Sequence, residues 1–189
     1  MWAWVLYFCS MVVVLTGPVH SGKTNLLNRS VARLKKQKFG LDGYLSLAVV
    51  RGGETIGYDL FDILTEKTTP FLQKTGKKSW PRIGSYFILP GTLKKAQEKI
   101  QRCSPRHVLV VDEVGPLEVR GQGVWPALSG VLKEQSRAFL LVVRRPILEQ
   151  FLGLLKGSTV EIIDIMKNQD CSDLLIKILT SSRFLSESR

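Results

Sequence analysis

The stretch Gly17-Pro18-Val19-His20-Ser21-Gly22-Lys23-Thr24 has glycines at its first and sixth positions and ends in lysine and threonine. That spacing suits the capture of a polyphosphate. Glycines at 17 and 22 let the backbone curl until successive N–H groups face one anion. A helix begun at Lys23 adds the positive end of its dipole. Lys23 can then reach the β- and γ-phosphates of a nucleotide, and the Thr24 hydroxyl can ligate Mg²⁺. All eight residues are candidate nucleotide contacts, with the backbone as the binding surface. On this reading the His20 side chain points away from the phosphates, and no catalytic role is expected for it.

The second constellation is VLVVDEVGPLE, Val108 to Glu118. Four apolar residues bury a strand, and Asp112 emerges at its carboxyl tip, where α/β ligands bind. Opposite a phosphate loop, that aspartate would hold Mg²⁺, directly or through water. Glu113 follows at once and could orient and deprotonate an attacking water. Such a base favours a hydrolase over a kinase. A cation on the γ-phosphate would complete the site; Arg144 and Arg145, just past an apolar run, and Arg51, by a Gly-Gly turn, are the candidates.

Both constellations need a sheet whose strand tips converge, and the rest of the chain supplies one. Short apolar runs alternate with amphipathic stretches, the pattern of an α/β domain with a largely parallel central sheet flanked by helices. Strands are expected at 11–16, 108–112, 139–143 and 160–165, and an antiparallel hairpin at 41–50 and 55–61 around Gly52-Gly53. A helix over 23–38 carries Leu26, Leu27, Ser30, Val31 and Leu34 on one stripe. Further helices are predicted from Pro90 to about Arg102, over 124–135, and from Pro146 to near Gly157. A final helix, capped by Asp170 and Asp173, has Leu174, Leu175, Ile178 and Leu179 as its stripe. Residues 66–82 read as a flexible basic loop and 82–89 as one strand.

With 189 residues and 44% hydrophobic content the chain fits one domain, 11–189, preceded by an apolar extension at 1–10. The run Met1–Leu15 lacks a basic flank and is too short to span a bilayer, so no membrane location is expected. The net charge of +11 favours an anionic partner. Local basic clusters occur at Lys35, Lys36 and Lys38 and at Lys74, Lys77, Lys78 and Arg82, without the interleaved aromatics of a nucleic-acid surface. Three cysteines, Cys9, Cys103 and Cys171, show no metal-ligand spacing, which predicts reduced thiols in a cytoplasmic protein. A monomer is expected.

These residues, in this order, resemble the P-loop nucleoside-triphosphatase family of hyperthermophile enzymes and the cancer-related nucleoside-triphosphatase. The likeness runs from Met11 over nearly the whole chain. Asp42-Gly43-Tyr44 and Gly52-Gly53-Glu54-Thr55-Ile56-Gly57-Tyr58-Asp59 match the family's glycine-aromatic strand and the turn and strand after it. Arg82-Ile83-Gly84-Ser85-Tyr86 and Asp112-Glu113-Val114-Gly115-Pro116-Leu117-Glu118 match two later elements. The resemblance implies a RecA-like P-loop fold and slow, Mg²⁺-dependent hydrolysis of several nucleoside triphosphates. It supports Lys23 and Thr24 for phosphate and metal, Asp112 for metal and Glu113 for water. It also implies that Lys167-Asn168 packs on the base. Two segments depart from the pattern. Ser46-Leu47-Ala48-Val49-Val50-Arg51 lacks the usual acid, and Val142-Val143-Arg144-Arg145-Pro146 lacks the usual threonine turn.

The reading that follows is an Mg²⁺-dependent hydrolase of ATP, GTP and other triphosphates with broad base tolerance. Two rivals use the same loop. A nucleotide or small-molecule kinase would need an acceptor pocket and a basic lid, for which 66–82 is a candidate. A nucleic-acid-linked switch is possible but not favoured.

Overall fold

The computed structural model describes residues 10–134, 137–167 and 170–181. In chain order these form β1 (Met11–Gly17), α1 (Lys23–Lys36), β2 (Leu41–Arg51), β3 (Glu54–Asp62), β4 (Thr68–Gln73), β5 (Arg82–Ile83), β6 (Tyr86–Ile88), α2 (Pro90–Arg102), β7 (Val108–Val114), α3 (Trp125–Val131), β8 (Ala138–Arg144), α4 (Leu148–Leu154), β9 (Thr159–Asp164) and α5 (Cys171–Thr180). One nine-stranded sheet runs β5-β6-β4-β3-β2-β7-β8-β1-β9. From β2 through β9 the neighbours are parallel; from β2 outward to β5 they are antiparallel. The fold is the expected α/β class, although its antiparallel flank is larger than a single hairpin.

Two apolar layers hold the sheet between helices. Alternate residues of β1 serve each face: Val12 and Val14 join the cluster with α2, α3 and α4, while Val13 and Leu15 join the one with α1 and α5. All four are fully buried, each contributing about 1.5–3 kcal/mol of transfer free energy. That fixes Val12–Leu15 at the heart of the sheet and removes the membrane reading for those residues. Among the described residues no helix is long and apolar enough to cross a membrane. The chain is tied to this body from Ser10 onward, whose hydroxyl donates to the Glu134 carbonyl at 2.6 Å; residues 1–9 and 182–189, with Cys9, lie outside the described residues.

The α1 stripe is buried as predicted: Leu26, Leu27, Ser30, Val31 and Leu34. Gly43 shows why a small residue is needed beside β7. Its φ is +114°, and a Cβ there would come within 1.9 Å of the Val110 carbonyl oxygen.

Several expectations are corrected. Residues 66–82 are not one loop, because β4 occupies Thr68–Gln73 and pairs with β3. The strand expected over 82–89 is split by the Gly84-Ser85 turn into β5 and β6. α3 ends at Val131, and α4 begins at Leu148 after a 3-10 turn over Arg145–Ile147. In α5 Ile176 is buried along with Leu175 and Leu179, while Leu174 and Ile178 are half-buried. Asp170 stands at its N-cap without a side-chain capping bond, and Asp173 instead pairs with Arg33 at 2.6 Å.

Candidate active site

The sheet order places β8 between β1 and β7, so three carboxyl tips stand side by side. Gly17 is level with Arg144, and Val114 with Val143. Ligands of open α/β sheets bind at this edge.

From β1 the chain turns into α1 through the phosphate-type loop, and Gly22, at φ 84°, is the helix N-cap. No side chain caps α1 and no acid stands in its first turn. Its positive end and orphan amides therefore remain open to an anion. Pro18 has no N–H, so it contributes only a carbonyl. The Lys23 ammonium donates to that carbonyl and to the Gly17 carbonyl at 3.2 Å. Val19 and His20 are exposed. Burial lowers the Lys23 pKa; Glu113 opposes this, Arg144 adds to it, and Asp112 opposes it. The lysine of the loop thus shares one field with the acids and the arginine of the neighbouring tips.

Asp112 is 1% exposed. Its Oδ2 accepts from the Ser46 amide at 3.0 Å. Burial pushes its pKa up to about 7, against the pull of the Ser46 amide, the Thr24 hydroxyl and the Lys23 charge, while Glu113 pushes the same way as burial. Oδ1 is buried with no hydrogen-bond partner. A buried carboxylate oxygen left bare is costly, and a hard cation beside the Thr24 hydroxyl would satisfy it. The residues present therefore fit Mg²⁺. Among the described residues no three His, Cys, Asp or Glu side chains gather as a metal cage, so phosphate oxygens and water would complete the shell.

Glu113 sits where β7 bulges against β8, the register shifting between Val111 and Val114. Its φ is +68°, a conformation that costs of order 1–3 kcal/mol for a non-glycine residue and is found where a side chain must be re-aimed. The bulge turns Glu113 towards β8, where Arg144 donates to its Oε1 at 2.9 Å.

The three candidate arginines separate clearly. Arg144 lies in the cleft on Glu113. Arg145 forms an ion pair with Asp164 at the end of β9. Arg51 is exposed at the tip of the β2–β3 hairpin, opposite Glu54 in register. Lys167 is exposed on the turn after β9, its amide donating to the Asp164 carbonyl at 3.0 Å; Asn168 lies outside the described residues.

Sequence reasoning missed the part played by Ser46, because the contact is made by its amide and no side-chain type announces it. It also left Glu118 without a role. That carboxylate is buried and accepts from the Gly115 amide at 2.8 Å and the Val124 amide at 3.1 Å, fastening the loop that follows the two acids. Lys74 and Tyr86, which line the same cleft as Glu113, were also missed, since β4 and β6 were not read as separate strands.

A family model described as NTPase matches residues 12–179, from β1 to the last turn of α5. The chain belongs to the NTPase family. This NTPase is 32% identical over 134 residues to the nucleoside-triphosphatase THEP1 of Methanopyrus kandleri, covering 70% of this chain and 73% of that one. It is 28% identical over 142 residues to the mouse cancer-related nucleoside-triphosphatase homolog, covering 69% and 72%. Its fold matches the solution structure of a human cancer-related nucleoside triphosphatase with a TM-score of 0.71 at 24% identity, over 95% and 99% of the two chains. The crystal structure of THEP1 from Aquifex aeolicus matches with a TM-score of 0.62 at 18% identity, over 87% and 96%.

Proposed function

We propose that this NTPase hydrolyses the terminal phosphate of nucleoside triphosphates in a Mg²⁺-dependent reaction tolerant of the base. The observation that carries the reading is the buried, unpartnered Oδ1 of Asp112 beside the Glu113–Arg144 pair, with Arg144 level with Gly17 of the phosphate loop, at the foot of an uncapped helix. The relatives' names point the same way.

The phosphates lie on the amides of 17–24, apart from Pro18, and draw the Lys23 ammonium off the loop carbonyls it now contacts. Asp112 and Thr24 would hold Mg²⁺, which when bound would neutralise charge on the phosphate oxygens. Arg144 leaves Glu113 for the terminal phosphate, where it meets charge that grows in the transition state. Freed of its partner, the Glu113 carboxylate orients a water in line and takes its proton. The nucleoside lies over a cleft of about 610 Å³ beside α1, bounded by Asn25, Arg29 and Ile165, with Lys167 on the turn just beyond. The volume of that cleft supports base tolerance.

The test is phosphate release from ATP, GTP, CTP and UTP, with and without Mg²⁺ and with and without polynucleotide. Release from all four is expected, with rates within about tenfold of one another, lost on metal removal and indifferent to polynucleotide. No release from any would sink the reading. Steeply salt-dependent stimulation by polynucleotide would favour a nucleic-acid-linked switch instead.

A further inference from the structure

We propose that the cleft on the other side of the phosphate loop is an acceptor pocket for a neutral, ring-bearing alcohol of the nucleoside class, which receives the terminal phosphoryl group in place of water. This rests on the nucleotide reading of residues 17–24 given above.

Two clefts flank the loop. The first meets it at Ser21 and Gly22. The second, of about 490 Å³, meets it at Val19 and His20, and of the two it alone reaches Glu113 and Arg144. A nucleotide seated in the first, with its phosphates over the loop, delivers its terminal phosphate to the second. Hydrolysis needs room there for one water, about 30 Å³ of liquid. The volume present, about 490 Å³, falls within the roughly 300–1,000 Å³ that small-molecule sites use.

The walls indicate what fits. Tyr58 of β3 and Tyr86 of β6 meet edge to face, with centroids 5.3 Å apart and planes at 81°. The Tyr86 hydroxyl donates to the Thr55 carbonyl at 3.1 Å, which fixes the pair further. Fixed aromatic surfaces take a flat heterocycle with little ordering cost. The charged groups of the cleft are already matched: Lys74 lies 3.4 Å from Glu54 and Arg144 lies 2.9 Å from Glu113. Glu54 and Glu113 also put two carboxylates into the lining, beside Lys74 and Arg144. A dianionic monophosphate or a nucleic-acid strand would have to compete with these acids, whereas a neutral alcohol needs no free cation.

The chemistry balances. The acceptor's hydroxyl oxygen attacks the γ-phosphorus and a new O–P bond forms. The bond to the bridging β–γ oxygen breaks, and the diphosphate leaves with that electron pair. The acceptor's proton passes to Glu113. With only water in the cleft the same geometry gives hydrolysis.

The full chain is incubated with γ-labelled ATP, Mg²⁺ and, separately, adenosine, guanosine, cytidine and uridine, and the label is followed into nucleoside monophosphate and free phosphate. The proposal predicts labelled monophosphate from at least one nucleoside. In Tyr86→Ala the ratio of labelled monophosphate to free phosphate should fall at least about fivefold, the low end of what removing a stacking platform costs; because it is a ratio, a partly unfolded sample does not mimic the effect. Tyr86→Phe should retain the ratio, since the ring remains. Label in free phosphate alone, whichever nucleoside is added, overturns the acceptor pocket while leaving the hydrolase intact. Label in neither product overturns both.

Discussion

Replacing Arg144 with alanine separates a catalytic arginine from a structural one. Its partner Glu113 lies 2.9 Å away, and the two side chains are 30% and 25% exposed. A pair so open to solvent is screened and contributes about 0–1 kcal/mol to folding. For a domain of this size that lowers the melting midpoint by at most about 4 °C. The catalytic loss is expected to be far larger. A donor aimed at charge that develops in the transition state contributes about 2.7–4 kcal/mol, or 10²–10³ in turnover. Because that contact matures only during reaction, kcat should fall and KM should change little. Arg144→Lys keeps the charge without the planar fork and should fall between wild type and alanine. Single-turnover phosphate release at saturating triphosphate, beside a thermal melt, reads both quantities. Turnover within about threefold of wild type, with the midpoint depressed by more than 4 °C, would refute the exchange of Arg144 from Glu113 to phosphate and leave it a structural partner.

Further substitutions probe the other parts. Glu113→Gln should bind triphosphate as tightly as wild type yet release phosphate at least ~10²-fold more slowly, the lower end for a general base; unchanged turnover would remove Glu113 from the mechanism. Gly43→Ala puts a Cβ 1.9 Å from the Val110 carbonyl oxygen at a φ of +114°, and should destabilise by more than about 3 kcal/mol or prevent folding; a denaturant midpoint near that of wild type would contradict the close β2–β7 approach. Lys99 lies 2.8 Å from Asp42 and 2.9 Å from Asp62. Burial pushes the Asp62 carboxyl up, but the Thr65 amide and Lys99 outweigh it and hold it below the usual range. Its stabilisation is therefore full above the unfolded value near 3.9 and is lost as pH falls through the folded one. Lys99→Met should flatten that acid limb in a series of melts at descending pH, and an unchanged limb would count against the network.

The phosphate loop was legible because its chemistry is local: glycines, lysine and threonine at fixed spacing between an apolar run and an amphipathic one. The stripe of α1 was legible for the same reason. β4 was not. Pro70 and its lysine- and threonine-rich surroundings have the composition of a loop, and only tertiary pairing makes a strand of them. The proline falls at the register shift between Tyr58 and Asp59 of β3, where a missing N–H is tolerated. The fates of the arginines were equally hidden. Arg144 and Arg145 are neighbours in sequence, yet one faces Glu113 on β7 and the other Asp164 on β9, because β8 ends at Arg144 and Arg145 opens the 3-10 turn that follows it. The bulge that aims Glu113 leaves no composition signal. The cleft beside Tyr58 and Tyr86 is assembled from the four antiparallel strands β3 to β6, the tips of β7 and β8 and the phosphate loop, a convergence that the order of residues does not disclose.

The measurement closest to the centre of this account is a calorimetric titration of the chain with a non-hydrolysable triphosphate analogue, with Mg²⁺ and after its removal. One site per chain is predicted, weakened at least about tenfold by metal removal and again by Lys23→Ala, as expected when a charge-assisted contact is lost. Absence of binding, or binding indifferent to both the metal and Lys23, would contradict the claim that residues 17–24 and Asp112 form one triphosphate site.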